Sequence, residues 1–127
     1  MTRVVLVDDD ADFRATLKDL LAIVPDLEVV GEGDSGEQAL KLVRDTKADV
    51  VVIDLKMPVT GRAAIAAIRR SRPLTRIIAL SGSGEKAGHD AVVFGADAFV
   101  RKAGGAQMLD ELVAAISRLS RSAPRRP

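Results

Sequence analysis

The sequence predicts an α/β fold in which one five-stranded parallel sheet carries helices on both faces. Three observations lead to this prediction. Short apolar runs recur about every two dozen residues, segments with helical spacing of apolar residues lie between them, and polar residues follow the runs directly. With 127 residues the chain is long enough for one domain with its own core.

The order of the strands follows from how apolar each run is. Residues 4–7, 50–53 and 77–80 are unbroken apolar runs, whereas residues 27–32 and 98–101 mix apolar with polar residues. Strands covered on both faces have unbroken runs, so strands 1, 3 and 4 are expected in the middle and strands 2 and 5 at the edges. The flavodoxin-like order 2-1-3-4-5 satisfies this, and it places a ligand crevice between strands 1 and 3.

The first two helices are predicted from apolar spacing and from their boundaries. The second begins after Ser35, which has capping-box spacing to Gln38. The first ends before Pro25, and its apolar stripe is interpreted as core. That stripe consists of Phe13, Leu17, Leu20, Leu21 and Val24.

Three more helices complete the predicted alternation. The third covers residues 61–71 and ends before Pro73. The fourth covers residues 85–94 and closes at Gly95, a typical residue for the position after a helix. The fifth covers residues 107–120 and is amphipathic.

Polar residues gather at the carboxyl ends of four strands, which meet at one edge of a parallel sheet. Carboxylates held ~4 Å apart repel by about 4 kcal/mol at an effective dielectric near 20, so such a cluster calls for a cation. Oxygen ligands suit Mg²⁺, and a carboxylate beside it can attack phosphorus to form an aspartyl phosphate. A lysine would then neutralise charge and a serine would donate a hydrogen bond. The residues are Asp8, Asp9, Asp10, Asp54, Ser81 and Lys102.

Four segments in register resemble the response-regulator receiver domains of two-component signalling, over residues 3 to about 119. These segments are Val-Asp-Asp-Asp at 7–10, Asp-Leu-Lys-Met-Pro at 54–58, Leu-Ser-Gly at 80–82 and Gly-Ala-Asp-Ala-Phe-Val-Arg-Lys at 95–102.

The resemblance implies a role for each site residue. Asp54 would be the phosphorylation site, and Mg²⁺ would be held by Asp8, Asp9, Asp54 and the backbone carbonyl of Lys56. Ser81 and Phe99 would form the switch, and Lys102 would pair with the phosphoryl group. Each role is assigned to the residue of this sequence that matches the corresponding position in the family segments.

The resemblance also implies how the domain works. The phosphodonor would be a sensor histidine kinase or a phosphotransfer protein, and the domain would be a signalling phosphoacceptor with slow self-dephosphorylation rather than an enzyme. Phosphorylation would change the face formed by the fourth helix, the fifth strand and the fifth helix, and this face is compatible with a homodimer.

Several alternatives stay open at this point. Asp10 can cap the first helix instead of binding metal, and Phe99 can be core instead of switch. A haloacid-dehalogenase-type phosphohydrolase also uses an aspartate at a strand end, but it needs a second acid where this chain has Lys56. A degenerate receiver that only binds proteins is the third class, against which the intact acidic and lysine positions argue.

Departures from the family pattern concern two loops. Ala103 follows the lysine where many receivers have proline, and the segment between Pro58 and Gly61 is one residue shorter than usual.

Composition excludes several function classes. The chain has no cysteine, so a disulfide framework and a thiol nucleophile are excluded. Neither secretion nor membrane insertion is expected from the sequence, and a cytoplasmic location is expected. The net charge is +1, and residues 1–120 are slightly acidic because three arginines lie at the end of the chain. Direct contact of this domain with nucleic acid is therefore not expected.

A local basic stretch is interpreted as a solvated helix surface. Its members are Arg62, Arg69, Arg70, Arg72 and Arg76.

The expected domain organisation is a receiver over residues 1–120, followed by a basic tail or the start of a linker at 121–127. The segment Gly-Ala-Asp-Ala-Phe-Val-Arg-Lys-Ala at 95–103 and the basic tail resemble receivers that precede a helix-turn-helix transcriptional output domain. A free-standing receiver stays open as the alternative.

Overall fold

The computed structural model describes residues 1–55, 60–82, 95–102 and 105–121, and it describes the backbone alone at residues 60, 61 and 121. Four sequence predictions fall outside these ranges: the backbone carbonyl of Lys56, the loop after Pro58, the helix at 85–94, and Ala103. Residues 122–127 also lie outside them.

Five parallel strands form one sheet within the described ranges. Their order is β2-β1-β3-β4-β5, as the apolar runs predict. The predicted α/β fold class and strand order are therefore confirmed. The strands are β1 (Thr2–Val7), β2 (Leu27–Gly33), β3 (Val50–Asp54), β4 (Arg76–Ser81) and β5 (Ala98–Arg101).

The strand burial explains why the apolar runs predict the order. Every residue of β3 and β4 is buried, and so are residues 4–7 of β1, because helices cover both faces of these strands. Most residues of β2 and β5 are partly or fully exposed, and only Leu27, Gly33 and Val100 are buried there, which fits the two edges of the sheet.

Four helices lie in the described part of the chain and cover the two faces of the sheet. Buried residues of α2 and α3 share one core cluster with alternate strand residues, whereas α1 and α4 share the other. Within the described ranges, no helix combines the length and apolar character that a bilayer crossing requires. The helices are α1 (Ala11–Ala22), α2 (Gly36–Thr46), α3 (Thr60–Ser71) and α4 (Ala106–Arg121).

The helix boundaries follow the predicted caps. The Ser35 side chain accepts a hydrogen bond from the Gln38 N–H at 3.3 Å and begins α2. The Asp10 carboxylate accepts from the Phe13 N–H at 3.1 Å, so Asp10 is the N-cap of α1. At the other end of the chain α4 includes Arg121, a residue that the sequence assigns to the tail.

The apolar stripe of α1 is only partly core. Leu17 and Leu21 are buried, and Phe13 and Val24 are partly buried against the same cluster. Leu20 is 37 % exposed, so its assignment to the core is wrong. It lines an apolar groove between α1 and the start of α4.

The basic stretch around α3 is not uniformly solvated. Arg62 and Arg70 are exposed, as predicted, but Arg76 is only 8 % exposed. Arg69 is partly buried and donates hydrogen bonds to the Gly95 carbonyl and, at 3.1 Å, to the Asp97 carboxylate. The prediction of a solvated surface is wrong at these two positions, because Arg69 binds the segment before β5 and Arg76 is buried as the first residue of β4.

Asp97 and Gly95 join α3 to the start of β5. One Asp97 oxygen accepts from both the Ile77 N–H, at 2.7 Å, and Arg69. Gly95 has a φ of +116°, which only glycine adopts without strain, and the Arg69 side chain packs against it. This Arg69–Asp97 clamp therefore attaches the edge strand to both α3 and β4.

Removal of the α1 cap should lower stability. We expect Asp10→Ala to reduce the free energy of unfolding by about 1 kcal/mol, because the Phe13 N–H loses its acceptor. Urea denaturation followed by far-UV circular dichroism measures this. Asp12→Ala is the matched control, since Asp12 lies exposed in the same first turn without the capping bond. Equal losses in the two variants would contradict the cap assignment.

Candidate functional site

The predicted polar residues meet at the carboxyl edge of the sheet. Asp8 follows β1, Asp54 ends β3, Ser81 ends β4 and Lys102 follows β5. Backbone hydrogen bonds continue beyond the strands and hold these residues in place. The Asp8 N–H donates to the Gly33 carbonyl at 3.0 Å, and the Lys102 N–H donates to the Ser81 carbonyl at 2.8 Å.

Three carboxylates form the acidic cluster of the site. Each of Asp8, Asp9 and Asp54 has a carboxylate oxygen within 4.8 Å of the others. Asp54 is fully buried and Asp8 is 3 % exposed, whereas Asp9 faces solvent. The Asp8 carboxylate also accepts a hydrogen bond from the Asp10 N–H at 2.8 Å. The cluster is thus open to solvent on the Asp9 side.

The Lys102 ammonium joins the two buried carboxylates. Its Nζ lies 2.8 Å from Asp8 Oδ2 and 3.1 Å from Asp54 Oδ2. Burial raises the pKa of the Asp8 carboxyl, and the hydrogen bond from Lys102 opposes that rise. Burial also acts to lower the pKa of Lys102, but its hydrogen bonds to Asp8 and Asp54 outweigh burial and raise it. Lys102 therefore stays charged.

Phe13 is a site residue that the sequence assigned only to the core. The Lys102 Nζ lies over its ring, 4.3 Å from the centroid, which is a cation–π distance. The sequence contains one hint that Phe13 lies near the site. A cap at Asp10 would bind the Phe13 N–H and so place Phe13 next to the acidic segment. Its distance to Lys102 depends on how α1, which packs on β1 and β2, is placed relative to the end of β5, and local spacing does not encode this.

Arg14 was also missed. Its Nη1 donates to the Asp8 carbonyl at 2.5 Å and its Nε to Glu32 Oε1 at 3.0 Å. Lys18 binds the other Glu32 oxygen at 2.7 Å. The contact depends on the parallel pairing of β1 with β2, in which Leu6 lies opposite Glu32. Arg14 therefore fixes the backbone beside the acidic cluster.

The two predicted switch residues lie on neighbouring strands. Ser81 is 2 % exposed at the end of β4, and Phe99 in β5 is partly buried against the cluster that contains α2 and α3. Asp10 does not belong to the acidic cluster, and its carboxylate caps α1. The structure thus favours the cap alternative for Asp10.

The donor set fits a hard divalent cation. All three cluster ligands are carboxylate oxygens, which suit Mg²⁺, and Lys102 offsets only part of their negative charge. The exposed Asp9 leaves an approach from solvent. Asp8, Asp9 and Asp54 are therefore the described residues that would hold the ion.

Comparison with known proteins identifies the family. The family model described as response regulator receiver domain matches residues 4–116, which include all the described site residues. The chain belongs to the response regulator receiver family. Its place in two-component signalling follows from that membership.

Two solved receivers show how far the similarity extends. The response regulator domain of Thermotoga maritima CheB is 32 % identical to this receiver, with a TM-score of 0.87 over 98 % of this chain and 99 % of that one. A LuxR-family two-component response regulator from Aurantimonas sp. SI85-9A1 is 29 % identical, with a TM-score of 0.83 over 94 % of this chain and 86 % of that one. The fold is therefore that of a receiver.

Curated relatives are considerably longer than this chain. A protein-glutamate methylesterase/protein-glutamine glutaminase from Pyrococcus abyssi is 35 % identical over 98 % of the chain, which spans 36 % of that protein. Response regulator GacA of Pseudomonas viridiflava is 42 % identical over 64 % of the chain, with 38 % of its own length covered. The chain thus spans little more than a third of these two relatives.

The Glu32 ion pairs should make stability depend on pH. Hydrogen bonds from Lys18 and then Arg14 hold the pKa of Glu32 below its ordinary 4.5. Their stabilisation is therefore present above pH 4.5 and is lost as pH falls through the lowered value. We expect Glu32→Gln to cost about 0.5–1 kcal/mol at pH 7, and urea denaturation should show this difference shrinking below pH 4.5.

Glu28→Gln is the matched control, because Glu28 is exposed on the same strand. A Glu32→Gln deficit that stayed constant from pH 7 to pH 3.5 would contradict the ion-pair assignment.

Proposed function

We propose that this receiver accepts a phosphoryl group on Asp54 in a Mg²⁺-dependent reaction and works as a signalling switch. The observation that carries the proposal is the setting of Asp54. Its fully buried carboxylate ends β3, lies beside two other acids and accepts a hydrogen bond from Lys102. Slow self-dephosphorylation would reset the switch, and no other catalytic activity is proposed.

The strand order supports Asp54 as the acceptor. Asp54 lies on β3, between Asp8 at the end of β1 and Ser81 at the end of β4. Lys102 follows β5, yet its side chain reaches back across to both buried acids. Of the three clustered carboxylates, only Asp54 therefore has further acids on one side and a hydroxyl on the other.

In the proposed reaction a carboxylate oxygen of Asp54 attacks the phosphorus of the donor. A phosphorus–oxygen bond forms, and the bond from phosphorus to the leaving group breaks, with its electron pair departing on the donor. Lys102 would balance charge on the new phosphoryl group, and the Ser81 hydroxyl would donate to one of its oxygens. Mg²⁺, held by Asp8, Asp9, Asp54 and the Lys56 carbonyl, would supply positive charge for the phosphoryl oxygens.

The proposed phosphodonor is a sensor histidine kinase or a phosphotransfer protein in the cytoplasm. A phosphoryl group adds nearly two negative charges, which would draw Ser81 inward and give Phe99 room to turn. The responding surface would be β5, α4 and residues 85–94. Contact through this surface with a second copy or another protein would transmit the signal.

We propose a receiver unit over residues 1–120, with 121–127 as a tail or linker. The two longer relatives are a protein-glutamate methylesterase/protein-glutamine glutaminase and the response regulator GacA. Receivers similar to this one therefore occur in proteins with different output functions. A transcriptional output for this protein is proposed from the resemblance of residues 95–103 and of the basic tail to receivers that precede a helix-turn-helix domain. We propose no direct contact of the receiver itself with nucleic acid.

Phosphorylation of Asp54 can be tested by intact mass. With Mg²⁺ and acetyl phosphate, we expect wild type to gain one phosphoryl group and Asp54→Asn to gain none, because the amide lacks the nucleophilic oxygen anion. Asp10→Asn is the matched control, since it retains a capping oxygen and should be labelled like wild type. Equal labelling of Asp54→Asn would place the acceptor elsewhere.

Metal binding can be tested by thermal unfolding. Asp9 has no ion-pair partner within the described ranges, so Asp9→Ala should relieve repulsion and raise the metal-free melting temperature by a few degrees. Without Asp9 the cluster also loses a ligand, so the Mg²⁺-induced rise should shrink. Differential scanning calorimetry with and without Mg²⁺ measures both effects. Undiminished Mg²⁺ stabilisation in Asp9→Ala would place the ion at another site, and Asp12→Ala is the control.

A further inference from the structure

We propose that Phe13 is a positioning residue for phosphoryl transfer, whose ring holds the Lys102 ammonium against the carboxylates of Asp8 and Asp54. The inference rests on the proposed function, because it assigns Phe13 a part in the same reaction. It also makes a structural claim, a ring–ammonium contact, which can be measured without any phosphorylation.

The Lys102 ammonium is enclosed on several sides. Two of its contacts are the carboxylate oxygens of Asp8 and Asp54, at 2.8 and 3.1 Å, and another is the Phe13 ring at 4.3 Å. The electron-rich face of an aromatic ring attracts a cation at this distance, most strongly when water is excluded. The Lys102 side chain is only 14 % exposed, so the contact is largely shielded from solvent.

Two hydrogen bonds position the first turn of α1, which carries Phe13. The Phe13 N–H is bound by the Asp10 carboxylate, and the neighbouring Arg14 donates to the Asp8 carbonyl. Both bonds attach the first turn of α1 to the segment that follows β1. The ring itself packs against the core cluster shared by α1 and α4. Its position is therefore defined relative to the acidic cluster.

Phosphoryl transfer benefits from a lysine held in this way. As the bond from Asp54 to phosphorus forms and the donor leaves with its electron pair, negative charge remains on the phosphoryl oxygens. A cation already in place stabilises that charge without reorganisation, whereas a lysine chain with free rotors must first be ordered. The Phe13 ring limits this freedom because it contacts the ammonium directly.

The competing explanation is that Phe13 only fills space in the apolar groove between α1 and α4. Leu17, Leu20, Met108 and Leu109 also line this groove. Phe13→Leu and Phe13→Tyr separate the two explanations. Leucine keeps apolar bulk but has no ring, whereas tyrosine keeps the ring and its attraction for a cation.

The first measurement is the initial rate of phosphorylation by acetyl phosphate and Mg²⁺, followed by intact mass. We expect Phe13→Leu to be slower by about fivefold, equivalent to about 1 kcal/mol at 1.36 kcal/mol per factor of ten. Phe13→Tyr should stay within about twofold of wild type, since the cation–π contact persists. Leu20→Ala is the control in the same groove and should retain the wild-type rate.

The second measurement is the ¹H–¹³C shift of the Lys102 ε-methylene in metal-free protein, assigned with Lys102→Arg. The ring should move this resonance upfield from the exposed lysines, and Phe13→Leu should abolish the displacement. A shift unaffected by Phe13→Leu would overturn the positioning role, and so would equal slowing in the leucine and tyrosine variants. Failure of wild type to be phosphorylated would instead overturn the proposed function.

Discussion

The shared ion pair of Lys102 with Asp8 and Asp54 is the interaction on which the site depends. Two carboxylates buried at adjacent strand ends would repel each other strongly without a cation between them. The ammonium offsets that repulsion and fixes the distance between β1 and β3 side chains. Because Lys102 follows β5, the ion pair also links the end of β5 to the ends of β1 and β3. The acidic cluster is therefore compact.

Much of this arrangement was predictable from sequence because it depends on strand ends. Apolar runs identify the strands, and a parallel sheet places their carboxyl ends on one edge. Asp8, Asp54, Ser81 and Lys102 therefore had to be neighbours once the strand order was right. The caps at Asp10 and Ser35 were predictable because each depends only on residues within one turn of its helix.

The remainder was not predictable because it depends on packing between elements distant in sequence. Phe13 and Leu20 share one apolar stripe, yet Phe13 contacts Lys102 whereas Leu20 is exposed in the groove between α1 and α4. Nothing in the sequence distinguishes Arg69 and Arg76 from the exposed arginines nearby. In the fold, Arg69 binds Asp97 and Arg76 is buried. Residues that are equivalent in the sequence pattern thus acquire different roles only through the tertiary fold.

The Arg69–Asp97 clamp has a consequence for the length of the edge strand. Asp97 is bound to β4 and α3 immediately before β5, and Lys102 is bound to the acids immediately after it. Both ends of this short segment are therefore anchored, and one residue more or less would displace the ammonium by about 3.3 Å. Such a change would also turn alternate side chains to the other face of the sheet. The constraint on residues 98–101 thus falls on their number as well as on their chemical identity.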